Sequence, residues 1–250
     1  MLDLGRTFLQ SVDRAGGNTA LVDGALRLTW SEWARVVGGV QRGLAALGLR
    51  PGDHVLAVLQ NRHEAATLHW ACQFAGLVMT PLNWRAKPEE IDYALGDSGA
   101  KLLVYEAVSQ EAVSQSLLAR AVVRIAVGDV AGDDPRFAQA FAEPADPTPM
   151  ARAEDLSLML YTSGTTGAPK GVITTHASML HNADLIGQSV QLPQGCEYLS
   201  YIPLSWATEQ WVGVTLGLIR PMRVSFAERP DQIQEAIREL ACEMVFFGPR

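Results

Sequence analysis

The sequence predicts an α/β protein in which mostly parallel sheets are covered by helices. Segments with apolar residues at helical spacing alternate with short apolar runs along most of the chain. The short runs are apolar at consecutive positions, as strands buried on both faces of a parallel sheet require. Glycine, proline and aspartate stand in the turns between the segments.

The first predicted helix begins at a capping box and ends at a glycine. Thr29 precedes Glu32 by three positions, and apolar residues then recur at helical spacing as far as Leu47, just before Gly48. The later elements keep the same alternation: a strand at 55–59, a helix at 64–74, a strand at 78–81, a helix begun by Pro88, a strand at 102–105, a helix at 110–120 and a strand at 122–127.

A segment rich in proline and aspartate, 129–154, interrupts the alternation and is typical of a linker. We therefore expect a first α/β subdomain at 1–128 and a second at 155–250. Strands of the second are predicted near 156–161, 198–202, 223–226 and 244–247. Because the chain stops directly after the last strand, we expect this subdomain to be incomplete and the chain to be part of a longer protein.

Composition disfavours several classes of function. The formal net charge is −7 and no basic patch is present, so no nucleic-acid partner is expected. The three cysteines are far apart, which disfavours disulfides and a zinc site and favours a reducing compartment. Polar residues interrupt the most apolar stretches, 65–82 and 202–219, so no transmembrane segment is predicted, although peripheral membrane contact is compatible with the sequence. These features predict a cytoplasmic location.

The most informative run, 161–172, reads Y-T-S-G-T-T-G-A-P-K-G-V. Glycines permit tight turns and close backbone approach to a ligand, and hydroxyls donate hydrogen bonds to phosphate oxygens. A lysine adds a mobile positive charge. The run therefore predicts a polyphosphate site, whose expected contacts are Thr162, Ser163, Gly164, Thr165, Thr166, Gly167 and Lys170.

The run does not have the Walker spacing G-x-x-x-x-G-K-[ST], and a simple alternative is a polar connector between a strand and a helix. The full run ending in P-K-G-V nevertheless resembles the phosphate-binding signature of the adenylate-forming superfamily, which includes acyl-CoA synthetases, adenylation domains of peptide synthetases and luciferases. Further runs at 29–53, 55–64, 75–85 and 96–105 resemble the same family. The resemblance is weakest at 107–153.

The resemblance implies the amino-terminal portion of the adenylate-forming fold, cut before the small mobile carboxyl-terminal domain. It implies that a carboxylate attacks the α-phosphate of ATP, with Mg²⁺, to give acyl-AMP and pyrophosphate, after which a thiol such as coenzyme A displaces AMP. By position in the motif, Lys170 is the implied catalytic residue and the Thr162 hydroxyl is a candidate contact of Mg²⁺. The family's adenine loop, magnesium-binding glutamate, ribose-binding aspartate and catalytic-lysine domain are expected beyond residue 250.

A second run, 201–211, reads Y-I-P-L-S-W-A-T-E-Q-W and resembles the family's proline–leucine motif. Trp206 stands where the family commonly has histidine, so its role as a substrate contact is one hypothesis and an interior tryptophan is the other. Glu209 is a candidate contact of substrate, phosphate or magnesium, or simply a carboxylate at a helix start. This run looks closest to fatty acyl-CoA synthetases, whose acid would be an aliphatic chain.

The histidines indicate no metal site. His63-Glu64 begins like H-E-x-x-H, but Thr67 stands where the second histidine is required. His176 matches a family position beside the phosphate loop, although a residue near the surface at a helix start is an equal interpretation. Three functions remain open: an acyl-CoA synthetase, an adenylation domain that loads a carrier protein, and a catalytically silent nucleotide- or acyl-binding module.

Overall fold

The fold is described from a computed structural model that covers residues 2–141, 143–162, 169–190, 192–227 and 232–245. The predicted α/β class is confirmed. The strands are β1 (Thr19–Asp23), β2 (Leu26–Thr29), β3 (His54–Val58), β4 (Val78–Leu82), β5 (Leu102–Glu106), β6 (Val123–Val127), β7 (Leu156–Thr162), β8 (Lys170–Thr175), β9 (Glu197–Ser200) and β10 (Arg223–Phe226).

Helices precede, connect and follow these strands. They are α1 (Leu4–Ala15), α2 (Trp30–Ala46), α3 (His63–Ala75), α4 (Pro88–Ser98), α5 (Gln110–Gln115), α6 (Phe137–Ala140), α7 (His176–Ser189), α8 (Ala207–Glu209), α9 (Gly217–Ile219) and α10 (Ile233–Leu240). A π-helix, Gln210–Leu216, joins α8 to α9, and 3₁₀ turns occupy Ala107–Ser109 and Leu118–Ala121. Among the described residues, no helix combines the length and the apolar character that a membrane span requires.

Two sheets organise the molecule. The six-stranded sheet has the order β6-β5-β3-β4-β7-β8 and is parallel except for the last strand, since β8 runs antiparallel to β7. The four-stranded sheet has the order β2-β1-β10-β9, in which β1 and β2 form an antiparallel pair and the other pairings are parallel. Mostly parallel sheets are therefore confirmed.

Both sheets take strands from both sides of the predicted linker. β7 and β8 join the sheet of β3–β6, while β9 and β10 join β1 and β2. The linker lies along α2, and its chain at 143–147 passes so close to Gly38 and Gly39 that a Cβ at either glycine would meet backbone atoms. The division into 1–128 and 155–250 stays a prediction, and it does not coincide with the division between the sheets.

Individual elements depart from the predicted pattern where local signals were weak. The helix expected at 110–120 ends at Gln115 and is followed by a 3₁₀ turn. The strand expected at 198–202 is Glu197–Ser200. Of the strand expected at 244–247, Met244 forms a parallel bridge to Tyr198, and 246–247 lie outside the described residues.

The capping box is confirmed, because Thr29 Oγ1 accepts from the Glu32 amide at 3.2 Å and the Glu32 carboxylate accepts from the Thr29 amide at 2.9 Å.

Aromatic side chains form the centre of the core where three helices meet. Phe8 of α1 packs edge-on against Trp30, Trp33 and Phe74, with ring centroids 5.3, 5.5 and 5.6 Å away. The Trp33 indole donates to Thr67 Oγ1 at 3.0 Å, which satisfies its buried N–H group. This cluster holds α1, α2 and α3 together beside both sheets.

Candidate active site

The ends of the predicted phosphate loop lie side by side at one edge of the six-stranded sheet. Thr162 ends β7, Lys170 begins β8, and the two residues are direct partners in the antiparallel ladder. Both are exposed. The connector between a strand and a helix, which was the simple alternative, is wrong: the run joins two antiparallel strands, and α7 begins only after β8. Ser163, Gly164, Thr165, Thr166 and Gly167 lie outside the described residues.

Two tyrosine hydroxyls, one on α4 and one on β7, connect the base of this hairpin to α4 by hydrogen bonds. The Tyr93 hydroxyl donates to the Pro169 carbonyl at 2.8 Å, and the Tyr161 hydroxyl donates to Asp97 Oδ2 at 2.9 Å. Burial and the Asp97 carboxylate raise the pKa of Tyr161, so its hydroxyl remains a donor. Sequence reasoning missed Tyr93 and Asp97, although their spacing of four on one helix face is a signal that could have paired them.

A groove of about 240 Å³ lies beside the hairpin. Thr162, Pro169 and Trp206 all line it, so the structure brings the phosphate run and the proline–leucine run together. Trp206 is 53% exposed, and the interior alternative for this residue is therefore wrong. An exposed indole at a groove wall is available for contact with a ligand.

Glu209 faces the protein interior. It is 1% exposed, its two carboxylate oxygens each accept a hydrogen bond at 2.6 Å, from Tyr198 and from Ser200, and it lines a small apolar cavity beside Trp30 and Trp70 rather than the groove of Trp206. Burial raises the pKa of Glu209 to about 7, against the two hydrogen bonds, which lower it. The structure therefore does not place this carboxylate beside Thr162.

A second cavity, of about 210 Å³, opens where β1, β3, β5 and β9 end. Ligands of open α/β sheets bind at such carboxyl-terminal strand edges. Arg62 joins Glu64 at 2.7 Å and Glu106 at 3.1 Å there. Asp23 and His63 are 2.8 Å apart next to Glu64, a trio whose geometry is compatible with a cation. Because Arg62 already pairs with Glu64 and Asp23 accepts hydrogen bonds at both His63 Nδ1 and the His63 amide, we interpret the trio as a hydrogen-bonded cluster next to the ion pairs of Arg62.

His176 lies at the far end of β8 from the phosphate hairpin. It is fully buried at the first position of α7, and its Nδ1 accepts from the Leu4 amide at 3.3 Å. The interpretation as a surface residue at a helix start is wrong. Burial lowers the pKa of His176 to about 4, which keeps the ring neutral.

Comparison with known proteins identifies the family. Residues 8–250 match the family model described as "AMP-binding enzyme". The chain belongs to this family. A feruloyl-CoA synthase of an Amycolatopsis species is 38% identical to this chain over 165 residues, which are 66% of the chain and 31% of the relative. The fatty acid–[acyl-carrier-protein] ligase ScoC of Streptomyces coeruleorubidus is 30% identical over 232 residues, 85% of the chain and 41% of the relative.

Solved structures agree with the fold of this chain. The inhibitor-bound N-terminal domain of FACL13 from Mycobacterium tuberculosis superposes with a TM-score of 0.83 at 24% identity and covers 96% of this chain and 61% of that one. The prediction of the amino-terminal portion of the adenylate-forming fold is thereby confirmed. The chain spans less than half of the length of the two curated relatives above, 31% and 41%.

Proposed function

We propose that this chain carries the phosphate-holding part of an enzyme that activates a carboxylic acid as an acyl-adenylate and passes the acyl group to a thiol. The observation that carries the proposal is the groove in which the hairpin of Thr162 and Lys170 meets Trp206. Membership of the AMP-binding family supports it.

In the first step a carboxylate oxygen attacks the α-phosphorus of ATP, the bond to the β-phosphate bridge breaks, and pyrophosphate leaves. Negative charge then grows on the leaving group. The Lys170 ammonium, the Thr162 hydroxyl and the donors of residues 163–167 would hold the β- and γ-phosphates, and such preorganised donors stabilise that charge. In the second step a thiol attacks the acyl carbon and AMP leaves.

The exposed hydroxyl of Thr162 at the groove also fits a magnesium ion as one oxygen ligand, since Mg²⁺ binds few protein oxygens beside phosphates and water. When bound, the ion would neutralise charge on the phosphates. The role of Thr162 in this proposal is to place its hydroxyl at the end of β7, where the strand meets the groove.

We propose a fatty acid as the substrate and coenzyme A as the thiol, with Trp206 at the wall that the acid contacts. Leu82, Ala86 and Trp206 give the groove an apolar part beside its polar residues, and this part supports an acid with an apolar body. The names of the two relatives differ in the thiol, since one is a feruloyl-CoA synthase and the other is a fatty acid–[acyl-carrier-protein] ligase. A carrier protein is therefore the second candidate for the thiol, and coupled assays with coenzyme A or holo-carrier protein distinguish the two.

The test is acid-dependent ATP–pyrophosphate exchange, measured in the unaltered protein and in Lys170→Ala. Loss of a charge that stabilises the leaving group predicts exchange slower by about a hundredfold. The matched control is Lys101→Ala, which removes another exposed lysine, one paired with Asp53 at 2.8 Å on the surface. An unchanged rate of exchange in Lys170→Ala would contradict the role of Lys170 in stabilising pyrophosphate. If the unaltered protein shows no exchange with any acid tested, the catalytically silent nucleotide- or acyl-binding module is favoured instead.

A further inference from the structure

The loop that carries Trp206 is held from the other sheet by one side chain. Asn61 lies three residues beyond the end of β3 in the six-stranded sheet, whereas the loop at 201–206 follows β9 in the four-stranded sheet. Asn61 Nδ2 donates to the Ile202 carbonyl at 2.7 Å and to Ser200 Oγ at 2.9 Å. Its Oδ1 accepts from the Leu204 amide at 3.2 Å. Both polar atoms of the Asn61 carboxamide thus form hydrogen bonds with the backbone of this loop.

A second side chain holds the loop from its far side. Gln210, buried in the π-helix, donates through Nε2 to the Leu204 carbonyl at 2.5 Å. The amide of Leu204 is bound by Asn61 and its carbonyl by Gln210, while the Leu204 side chain is buried in the core. Trp206 closes the turn by donating from its amide to the Pro203 carbonyl at 2.8 Å.

We propose that Asn61 and Gln210 are positioning residues that fix the Pro203–Trp206 turn and thereby set the place of the Trp206 indole at the groove beside Thr162; the catalytic consequence rests on the proposed function. The indole itself is half exposed, so its own contacts do not hold it as firmly as buried packing would. The backbone bonds at Ile202 and Leu204 therefore determine where the indole lies.

Asn61 also connects the turn to the buried carboxyl group. Ser200 Oγ accepts from Asn61 Nδ2 and donates to Glu209 Oε1, and Tyr198 donates to the other carboxylate oxygen. Networks of this kind are rigid when every member is paired. Ser200 already donates its hydroxyl proton to Glu209, so it cannot replace the hydrogen bonds that Asn61 makes to Ile202 and Leu204. A change at Asn61 is therefore expected to displace the turn.

Asn61→Asp is the sharpest variant, because it keeps the size of the side chain and removes both donors. A carboxylate oxygen would then face the Ile202 carbonyl at hydrogen-bond distance, and two acceptors without a proton repel each other. Gln210→Glu makes the same chemical change at the other side of the turn. The control is Asn18→Asp, an identical change at an exposed asparagine between α1 and β1.

The first readout does not depend on activity. The protein contains six tryptophans, and 5-fluorotryptophan labelling resolves them by ¹⁹F NMR after Trp206→Phe assigns the signal of Trp206. We expect Asn61→Asp and Gln210→Glu each to shift the Trp206 signal, with the signals of buried Trp30, Trp33 and Trp70 unchanged. A Trp206 signal that stays in place in both variants, or equal changes at all tryptophans, would overturn the proposal.

The second readout is kinetic. Misplacement of the indole predicts a KM for the acid raised by about fivefold in Asn61→Asp, the size of effect that loss of a hydrogen bond produces, with the KM for ATP nearly unchanged. An equal rise in both KM values would contradict a role through Trp206. If the unaltered protein shows no exchange, the proposed function fails, and the NMR result alone decides the role of Asn61.

Discussion

At the scale of single residues, the largest departure from ordinary packing is a group of buried polar atoms between α3, β7 and α7. Both ring nitrogens of His69, Nε2 of His176, Oε1 of Gln73 and Oγ of Ser157 have no hydrogen-bond partner among the described residues. Gln73 uses its amide group on the Ser157 carbonyl at 3.2 Å. Burial, together with a smaller contribution from the neighbouring His176, lowers the pKa of His69 to about 3, and burial lowers the pKa of His176 to about 4, so both rings are neutral in the folded protein.

These depressed pKa values predict a loss of stability in mild acid. An unfolded histidine binds a proton below about pH 6.5 while the buried His69 does not, so the unfolded state binds more protons and the free energy of unfolding falls as pH drops from 6.5 towards 3. For His69 alone the loss between pH 7 and 4.5 is about 2–3 kcal/mol. Urea unfolding at the two pH values measures it.

The His69→Leu variant separates this contribution from other titrating groups. Because it removes the buried ring, the pH dependence of its free energy of unfolding should be weaker than that of the unaltered protein. His181→Leu, at an exposed histidine on α7, is the control and should keep the original dependence. If the free energy of unfolding depends equally on pH in all three proteins, the burial of His69 does not contribute to the pH dependence.

At the scale of elements, the segment that follows the Trp206 turn is unusual because it passes from α8 through a π-helix into α9. π-helical turns are rare and often lie at functional sites. Gly213 is in its middle, where a Cβ would overlap Glu209 Oε1 and would lie 2.6 Å from Tyr198 Cε1. Glycine at this position lets the helix approach β9 closely enough for the Tyr198–Glu209 hydrogen bond.

Gly213→Ala is therefore expected to displace Glu209 or Tyr198. Overpacking of this kind lowers the free energy of unfolding by about 1–3 kcal/mol. Chemical denaturation monitored by circular dichroism gives the value. Gly17→Ala is the control, since nothing lies within 4 Å of a Cβ there, and it should leave stability unchanged or slightly higher. A Gly213→Ala protein as stable as the control would mean that the close approach of helix and strand is not needed.

Elements with strong local patterns were predicted well, and elements without them were not. The α2 helix has a capping box, and β3 is an apolar run, so both follow from the sequence. The β8 strand was missed because Lys170–Thr175 is a half-exposed edge strand without an apolar run. Its absence from the prediction is also why the phosphate run was not recognised as a hairpin.

At the scale of the whole molecule, long-range strand pairing joins the two halves of the chain. Leu21 of β1 is registered with Val224 of β10, and Met79 of β4 with Leu158 of β7. Neither sheet is complete without strands from beyond the linker. Such interleaving predicts one cooperative unit rather than two independent subdomains.

Cooperative unfolding is testable with two cavity-forming substitutions in the same sheet, one on each side of the linker. Val55→Ala in β3 and Leu158→Ala in β7 both remove buried side chains, and Leu158→Ala should cost about 2–5 kcal/mol. In each variant, tryptophan fluorescence and far-UV circular dichroism should report a single, shared, lowered midpoint in urea. Two separate transitions, of which each variant moves only one, would instead support the division at 129–154.

By itself, the sequence determined the alternation of helices and strands, and it predicts polyphosphate binding by the run at 161–172, because both depend on the types of residues that are neighbours in the chain. Only the tertiary structure decided that this run joins antiparallel strands, that Trp206 is exposed and Glu209 buried, and that Asn61 holds the turn before Trp206. The reason is physical. Asn61 binds a carbonyl 141 residues further along the chain, and Glu209 lines one cavity with Trp30 and Trp70, which come from a distant part of the sequence. Local periodicity contains no information about which of these partners meet, and the exposed edge strand β8 has no apolar run to mark it.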